Sequence, residues 1–184
     1  MQSPAAGSFG QTMHEIQARR VDESHFDRVY RSSARPLLSY VARVSQDSSL
    51  AEEIVQATFF RFLQSGGPTM DEKQTRQYLF RIASNLLADH WRSAGRERRF
   101  WSFVRPEPPI DRRETRLDVR KIFEMMKPQQ REILWLAHVE GCTHGEIADI
   151  LELREKSVRV LLFRARKRLQ DLLATKGLQQ EIFR

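Results

Sequence analysis

Residues 154–168 carry the densest run of reactive side chains in the sequence. Arg154, Lys156, Arg159, Arg164, Arg166, Lys167 and Arg168 stand against a single acid, Glu155, for a net +6, with Ser157 and Phe163 among them. Guanidinium groups bond guanine edges or phosphate, and a serine hydroxyl bonds phosphate. A second basic run spans residues 92–99, where Arg92, Arg96, Arg98 and Arg99 face only Glu97, net +3. Just before it, Asn85, Asp89 and Arg92 are spaced i, i+4, i+7 and so share one helix face. Phe80, Trp91 and the arginines of that run are candidates to meet unstacked bases. Arginines near a helix C-terminus also complement its dipole, so the run has a purely structural reading too. A third polar face, Glu52, Glu53 and Gln56, reads by itself as a solvated helix surface.

The rest of the chain gives these clusters their context. The 184 residues hold 31 Lys and Arg against 24 Asp and Glu, net +7. Residues 1–91 are balanced, so the excess belongs to the second half. Two basic patches about 60 residues apart suggest two contacts on one polyanion such as nucleic acid. Two solvated helix faces are the alternative.

Other chemistry finds little support. Cys142 is the sole cysteine, which excludes an intramolecular disulfide framework. His138, Cys142 and His144 lack a fourth nearby ligand for a structural zinc. There is no Gly-rich phosphate loop and no Ser/His/Asp signature. We therefore expect no catalytic activity, no metal and no cofactor. Apolar runs fall far short of the roughly 20 residues a membrane helix needs, and no secretory signal is evident. The expectation is a soluble cytoplasmic protein.

The elements that must position these clusters read as helices throughout: an all-α chain of two small helical domains joined by a flexible linker, the second a helix-turn-helix. Residues 1–21 read as a mobile extension. In the first domain, residues 22–93, Phe26, Val29, Tyr30, Leu37, Leu38, Val41 and Val44 recur at helical steps, with Pro36 a possible break. Ser49 and Glu52 form a capping-box pattern that opens a second helix, with Leu50, Ile54, Val55, Thr58, Phe59 and Phe62 on its apolar face. Gly66-Gly67-Pro68 ends it. A third helix runs from about Lys73 to Ser93, burying Tyr78, Leu79, Ile82, Ala83, Leu86 and His90. Residues 94–114, with Pro106, Pro108 and Pro109, read as the linker. Phe100, Trp101 and Phe103 within it pack locally or meet a base.

In the second domain, residues 115–175, Leu117, Ile122, Phe123 and Met126 mark one helix. Pro128 suits the first turn of the next, which carries Ile133, Leu134, Leu136 and Ala137 and has Gly141 at its C-terminal cap. Thr143 and Glu146 make a capping box for a short helix with Ile147, Ala148 and Leu151. After a turn at Glu152-Leu153-Arg154, a long helix reaches about Ala174, with Val158, Leu161, Leu162, Ala165, Leu169 and Leu172 on its inner side. A short capped helix, a tight turn and a longer basic helix describe a helix-turn-helix. Residues 176–184 read as a C-terminal tail.

Three stretches together resemble a known family. Ala51-Glu-Glu-Ile-Val-Gln-Ala-Thr-Phe-Phe60 resembles the segment with which bacterial sigma factors grip core RNA polymerase. Tyr78-Leu-Phe-Arg-Ile-Ala-Ser-Asn-Leu-Leu-Ala-Asp-His-Trp-Arg92 resembles their promoter-melting and −10 helix. Glu146-Ile-Ala-Asp-Ile-Leu and Ser157-Val-Arg-Val-Leu-Leu-Phe-Arg-Ala-Arg-Lys-Arg-Leu169 resemble their −35-reading motif. Order and linker are similar to the two-domain, extracytoplasmic-function group. The resemblance implies that Glu52, Glu53 and Gln56 face the β′ clamp coiled coil of core RNA polymerase. It implies that Asn85, Asp89, Arg92 and Arg96 meet the −10 element, Asn85 touching a flipped base. It implies that Lys156, Ser157, Arg159, Phe163 and Arg164 lie at the −35 groove. Promoter DNA, the polymerase β flap and an anti-sigma factor are the further implied partners. Three positions depart from the pattern: Glu152 stands where Gly is usual in the turn, Val160 where a polar residue is common, and Tyr78 where Trp is common. Glu disfavours φ > 0, so Glu152 puts that turn's geometry in question.

Two other readings fit the residues. One is a dimeric helix-turn-helix repressor or activator acting without polymerase. The other is an interaction protein whose basic helices bind nucleic acid without sequence preference, following salt alone.

Overall fold

The computed structural model describes residues 23–66, 70–100 and 119–175, the side chains of 94–100 excepted. The expected N-terminal extension, most of the linker with Trp101 and Phe103, the tail, and the side chains of Arg96 and Phe100 lie outside the described residues. Within them the secondary structure is helical: α1 (Glu23–Ser45), α2 (Ser48–Gln64), α3 (Glu72–Phe100), α4 (Val119–Glu124), α5 (Pro128–His138), α6 (His144–Leu151) and α7 (Glu155–Thr175).

Pro36 does not break α1; the helix runs through it. An interior proline costs about 3 kcal/mol in lost hydrogen bonding and steric conflict. Leu37, Tyr40, Val41 and Val44 follow it and are completely buried. Burial at roughly 1.5–3 kcal/mol per large apolar side chain outweighs that cost. The α1–α2 turn places Gln46 at φ 65°. The cap of α2 is Asp47, not Ser49: Leu50 N–H donates to Asp47 Oδ1 at 3.1 Å. A carboxylate one residue before the first helical turn takes an amide that Ser49, already inside the helix, leaves to it. At its other end α2 closes on Ser65, and Gly66 at φ 85° turns the chain away.

α3 continues to Phe100, past the expected end at Ser93 and into the segment read as linker. Residues 92–99 hold four arginines, one alanine and one glutamate, good helix formers that outweigh Gly95, and no proline stops them. Its inner stripe, Leu79, Ile82, Ala83 and Leu87, packs into a core with Ile54, Phe59 and Phe62 of α2. His90, expected inside, is exposed.

In the second unit the Thr143–Glu146 capping box is complete. Thr143 N–H donates to Glu146 Oε2 at 2.7 Å and Glu146 N–H to Thr143 Oγ1 at 3.3 Å. Pro128 opens α5, and Gln130 Oε1 accepts the Lys127 N–H at 3.1 Å. Gly141 lies beyond the α5 cap, Val139, and at φ 67° carries the chain round to α6. Val158, Leu162 and Ala165 of α7 close the core over Ile133, Leu136 and Ile147.

The two units pack on one another, α1 against α5 and α3 against α6. At the buried centre of that interface Ser84 and Tyr40 hydroxyls lie 2.7 Å apart, and Tyr40 Oη donates to Glu132 Oε1 at 2.8 Å. Beside it the buried Arg131 donates to Val44 O from Nε at 2.9 Å and from Nη2 at 2.6 Å, and to Met126 O from Nη1 at 2.7 Å. A cation here satisfies the Val44 carbonyl at the C-terminal end of α1, where the helix dipole favours positive charge.

Candidate nucleic-acid and polymerase interfaces

α6, the turn and α7 form the helix-turn-helix. Glu152 caps α6 in the left-handed region at φ 52°, ψ 44° and its N–H donates to Ala148 O. The turn therefore keeps the geometry that Gly would adopt freely, with a side chain carried through it. Val158, Leu162 and Ala165 face inward, which turns the remaining faces of α7 to solvent. Lys156, Arg159, Phe163 and Arg164 are exposed, and Ser157 is partly so. Phe163 is 68% exposed and Val160 48%, so two apolar side chains stand among the cations. Such a surface offers donors for phosphate and guanine and apolar contact for a thymine methyl.

On α3, Asn85 and Arg92 follow different courses. Arg92 pairs with Asp89 at 2.7 Å and its Nε also reaches Ala88 O. Asn85 Nδ2 donates to Glu152 Oε1 at 3.1 Å, and Arg81 donates to the same oxygen from Nε and Nη2, each at 3.2 Å. Those bonds, Asn85 first, hold the Glu152 carboxyl below the usual range. Asn85 and Trp91 also line a cleft of about 370 Å³ between the units, with Lys127, Glu132 and Leu153 on its other wall. Phe80 is not available to a base: it is buried against Tyr40, ring centroids 4.9 Å apart. The second unit covers it, which the sequence of the first unit does not disclose.

Two more ion pairs join α3 to the second unit, Lys73–Glu146 and Arg76–Glu140. Lys73 and the Thr143 amide hold the Glu146 carboxyl down to about 2. Burial acts oppositely on Glu132 and raises it to about 7, against the lowering bonds from Tyr40 and Ser84.

The polar residues of α2 point away from all of this. Glu52, Glu53 and Gln56 are exposed on one face, and Phe60 beyond them is 59% exposed. His138 and Cys142 have structural surroundings. His138 Nε2 accepts from Arg166 Nε at 3.2 Å, and burial pushes the Cys142 thiol up to about 11. Among the described residues no group of His, Cys, Asp and Glu is arranged to hold a metal ion, and no helix is long and apolar enough to cross a membrane.

Residues 29–97 match the family described as Sigma-70 region 2, and residues 116–169 match Sigma-70, region 4. The ECF RNA polymerase sigma factor SigE of Mycolicibacterium smegmatis is 32% identical over 163 residues, covering 82% of this chain and 59% of the relative. The ECF RNA polymerase sigma factor BldN of Streptomyces coelicolor is 27% identical over 186 residues, covering 92% of this chain and 69% of the relative. The chain thus spans 59% and 69% of the length of these two relatives. The sigma factor RpoE of Bartonella quintana, solved in complex with the anti-sigma factor NepR, has the same fold: TM-score 0.66 at 23% identity, over 81% of this chain and 96% of that one.

Proposed function

This chain belongs to the sigma-70 family, and from that membership we propose that it binds core RNA polymerase and directs promoter recognition and the start of transcription. The observation that carries the reading is the order of parts. A region 2 match with an exposed polar face on α2 is followed, in one chain, by a region 4 match whose α7 turns cations and Phe163 outward.

In this reading Glu52, Glu53 and Gln56 engage the β′ clamp coiled coil, and the second domain meets the β flap. Lys156, Ser157, Arg159, Phe163 and Arg164 read the −35 duplex from the major groove, where an intact helix suffices. Asn85, with Asp89, Arg92 and Arg96, meets the −10 element. Opening the strands there requires unstacking a base, at about a few kcal/mol. Binding energy supplies this, and no covalent step is performed by the chain. The first domain starts near 22 and ends with α3 at 100 rather than at 93, and the second runs from 115 to 175, with an extension before and a tail after. The site of action is the cytoplasm, and an anti-sigma factor is the further partner, a class seen bound to the similar fold from Bartonella quintana.

The test is in vitro transcription with core enzyme on a genomic promoter library, with start sites mapped. Common −35 and −10 boxes upstream of sites that depend on this protein are expected. Start-site selection no better than core alone would overturn the reading.

A further inference from the structure

Among the described residues three ion pairs cross from α3 to the second unit, and in each the base is on α3 and the acid on the second unit: Lys73–Glu146, Arg76–Glu140 and Arg81–Glu152. The second half of the sequence carries the entire net positive charge, yet it presents carboxylates here. The third of these acids does more than pair. Glu152 Oε1 accepts from the Asn85 amide and from two nitrogens of Arg81. A single oxygen that receives an amide and a guanidinium presents to α3 the acceptor chemistry of a base carbonyl or a phosphate.

The backbone beneath it adds a second, independent mark. Glu152 holds φ 52°, a conformation that costs nothing to Gly and is unfavourable to Glu. Strain of this kind persists where the side chain is used. The −35 face of α7 has no such occupant; Arg159, Phe163 and Arg164 are exposed while Asn85 is engaged.

We propose that Glu152 is an intramolecular latch that occupies the −10-reading face of α3 and biases the free chain toward its closed form. The proposal rests on the reading of Asn85 as a base contact. Promoter DNA and Glu152 compete for Asn85 and Arg81, so engagement of the −10 strand requires the two units to part at this end. The helix-turn-helix is available to duplex throughout. The order of events is therefore duplex first and single strand second, with release of Glu152 between them.

The test uses the full chain with Cys142→Ala and dye-labelled cysteines at the exposed positions Gln64 and Gln170. Single-molecule energy transfer reports the spread of distances between the units, and anisotropy reports binding of a mixed-sequence 20-nucleotide single strand. Gly fits the turn, so Glu152→Gly retains the fold while removing the latch. The open population and the single-strand affinity should both rise about threefold, the scale of a released exposed ion pair. Arg81→Glu should open the chain likewise, and Arg81→Glu with Glu152→Arg should close it again. An unchanged distance distribution in Glu152→Gly, or no closure in the double swap, overturns the latch. Mapped start sites that ignore the wild-type protein, beside a normal energy-transfer response, instead overturn the promoter reading and leave Glu152 a tie between units.

Discussion

The two helices proposed to meet DNA are in opposite states. α7 holds Lys156, Arg159, Phe163 and Arg164 in solvent, supported from behind by a buried row of Val158, Leu162 and Ala165. α3 has its Asn85 amide and Arg81 guanidinium bound to a carboxylate of the other unit, and its Phe80 sealed beneath it. The difference is one of partner. A groove-reading helix needs only to be rigid and bare. A helix that captures an unstacked base offers donors that any acceptor can fill, and an acceptor within the same chain is always near.

The largest effect expected on this contrast is one of pH. Burial places the Glu132 carboxyl at about 7 in the closed form, hydrogen-bonded to Tyr40, whose own phenol is raised by burial and by Glu132. When the units part, Glu132 returns toward the ordinary carboxylate value. The closed form then binds the extra proton between about 4.5 and about 7, so closure is most favoured at the acid end and weakens as pH rises through that window. The full swing is about 3 kcal/mol and levels off above pH 7. Energy transfer between the units, followed against pH, should show it, and Glu132→Gln should flatten the curve. A curve that tilts the other way breaks the account of the interface.

Next in size is Asn85→Ala. Loss of a base-reading amide should slow open-complex formation by about tenfold or more while core binding stays within twofold. Potassium permanganate footprinting beside a core-binding titration separates the two, and an equal fall in both removes the base-contact role. On the other helix, Arg159→Ala and Arg164→Ala should each weaken binding to a −35 duplex about tenfold and leave the distance between units unchanged. A shift in that distance would show that α7 is not independent of closure. The smallest change is expected from Glu53→Arg combined with Gln56→Ala. Core affinity should drop about fivefold, as for charges at the rim of an interface, with duplex binding intact. Surface plasmon resonance with immobilised core enzyme reads it.

The helices were legible in the sequence because their signals are local. Thr143 and Glu146 sit three residues apart and cap as their spacing requires. Apolar residues at helical steps identified Leu37, Val41, Ile54, Phe62, Leu79 and Ile147 as core. Errors arose where one local rule competed with another or with packing. Pro36 is outweighed by the burial that follows it, and Asp47 caps ahead of Ser49. The contact between units was not legible, because it is built from residues that read as surface. Arg131, Glu132 and Glu140 look like solvated charges in sequence, and periodicity reports that a face is apolar without naming what covers it. Phe80, a candidate by sequence to meet a base, is instead buried against Tyr40 of its own unit. Glu152 was recognised as out of place in its turn, but its use is visible only once Asn85 and Arg81 are beside it.

The buried centre of the interface also bears on how the chain is made. Tyr40 and Glu132 are separated by 92 positions, and Arg131 reaches back 87 to Val44. During synthesis the first unit emerges from the ribosome before Arg131 and Glu132 do. For that interval Tyr40 and Phe80 lack the cover given by α5 and the α5–α6 turn, and the carbonyl of Val44 lacks its donor. Contacts this distant in sequence form last and leave apolar surface open to wrong neighbours until they do. A ribosome stalled when α3 has just cleared the exit tunnel would thus hold a nascent chain with its α3 donors uncovered and its aromatic seam exposed, a species that chaperones rather than promoters are equipped to meet.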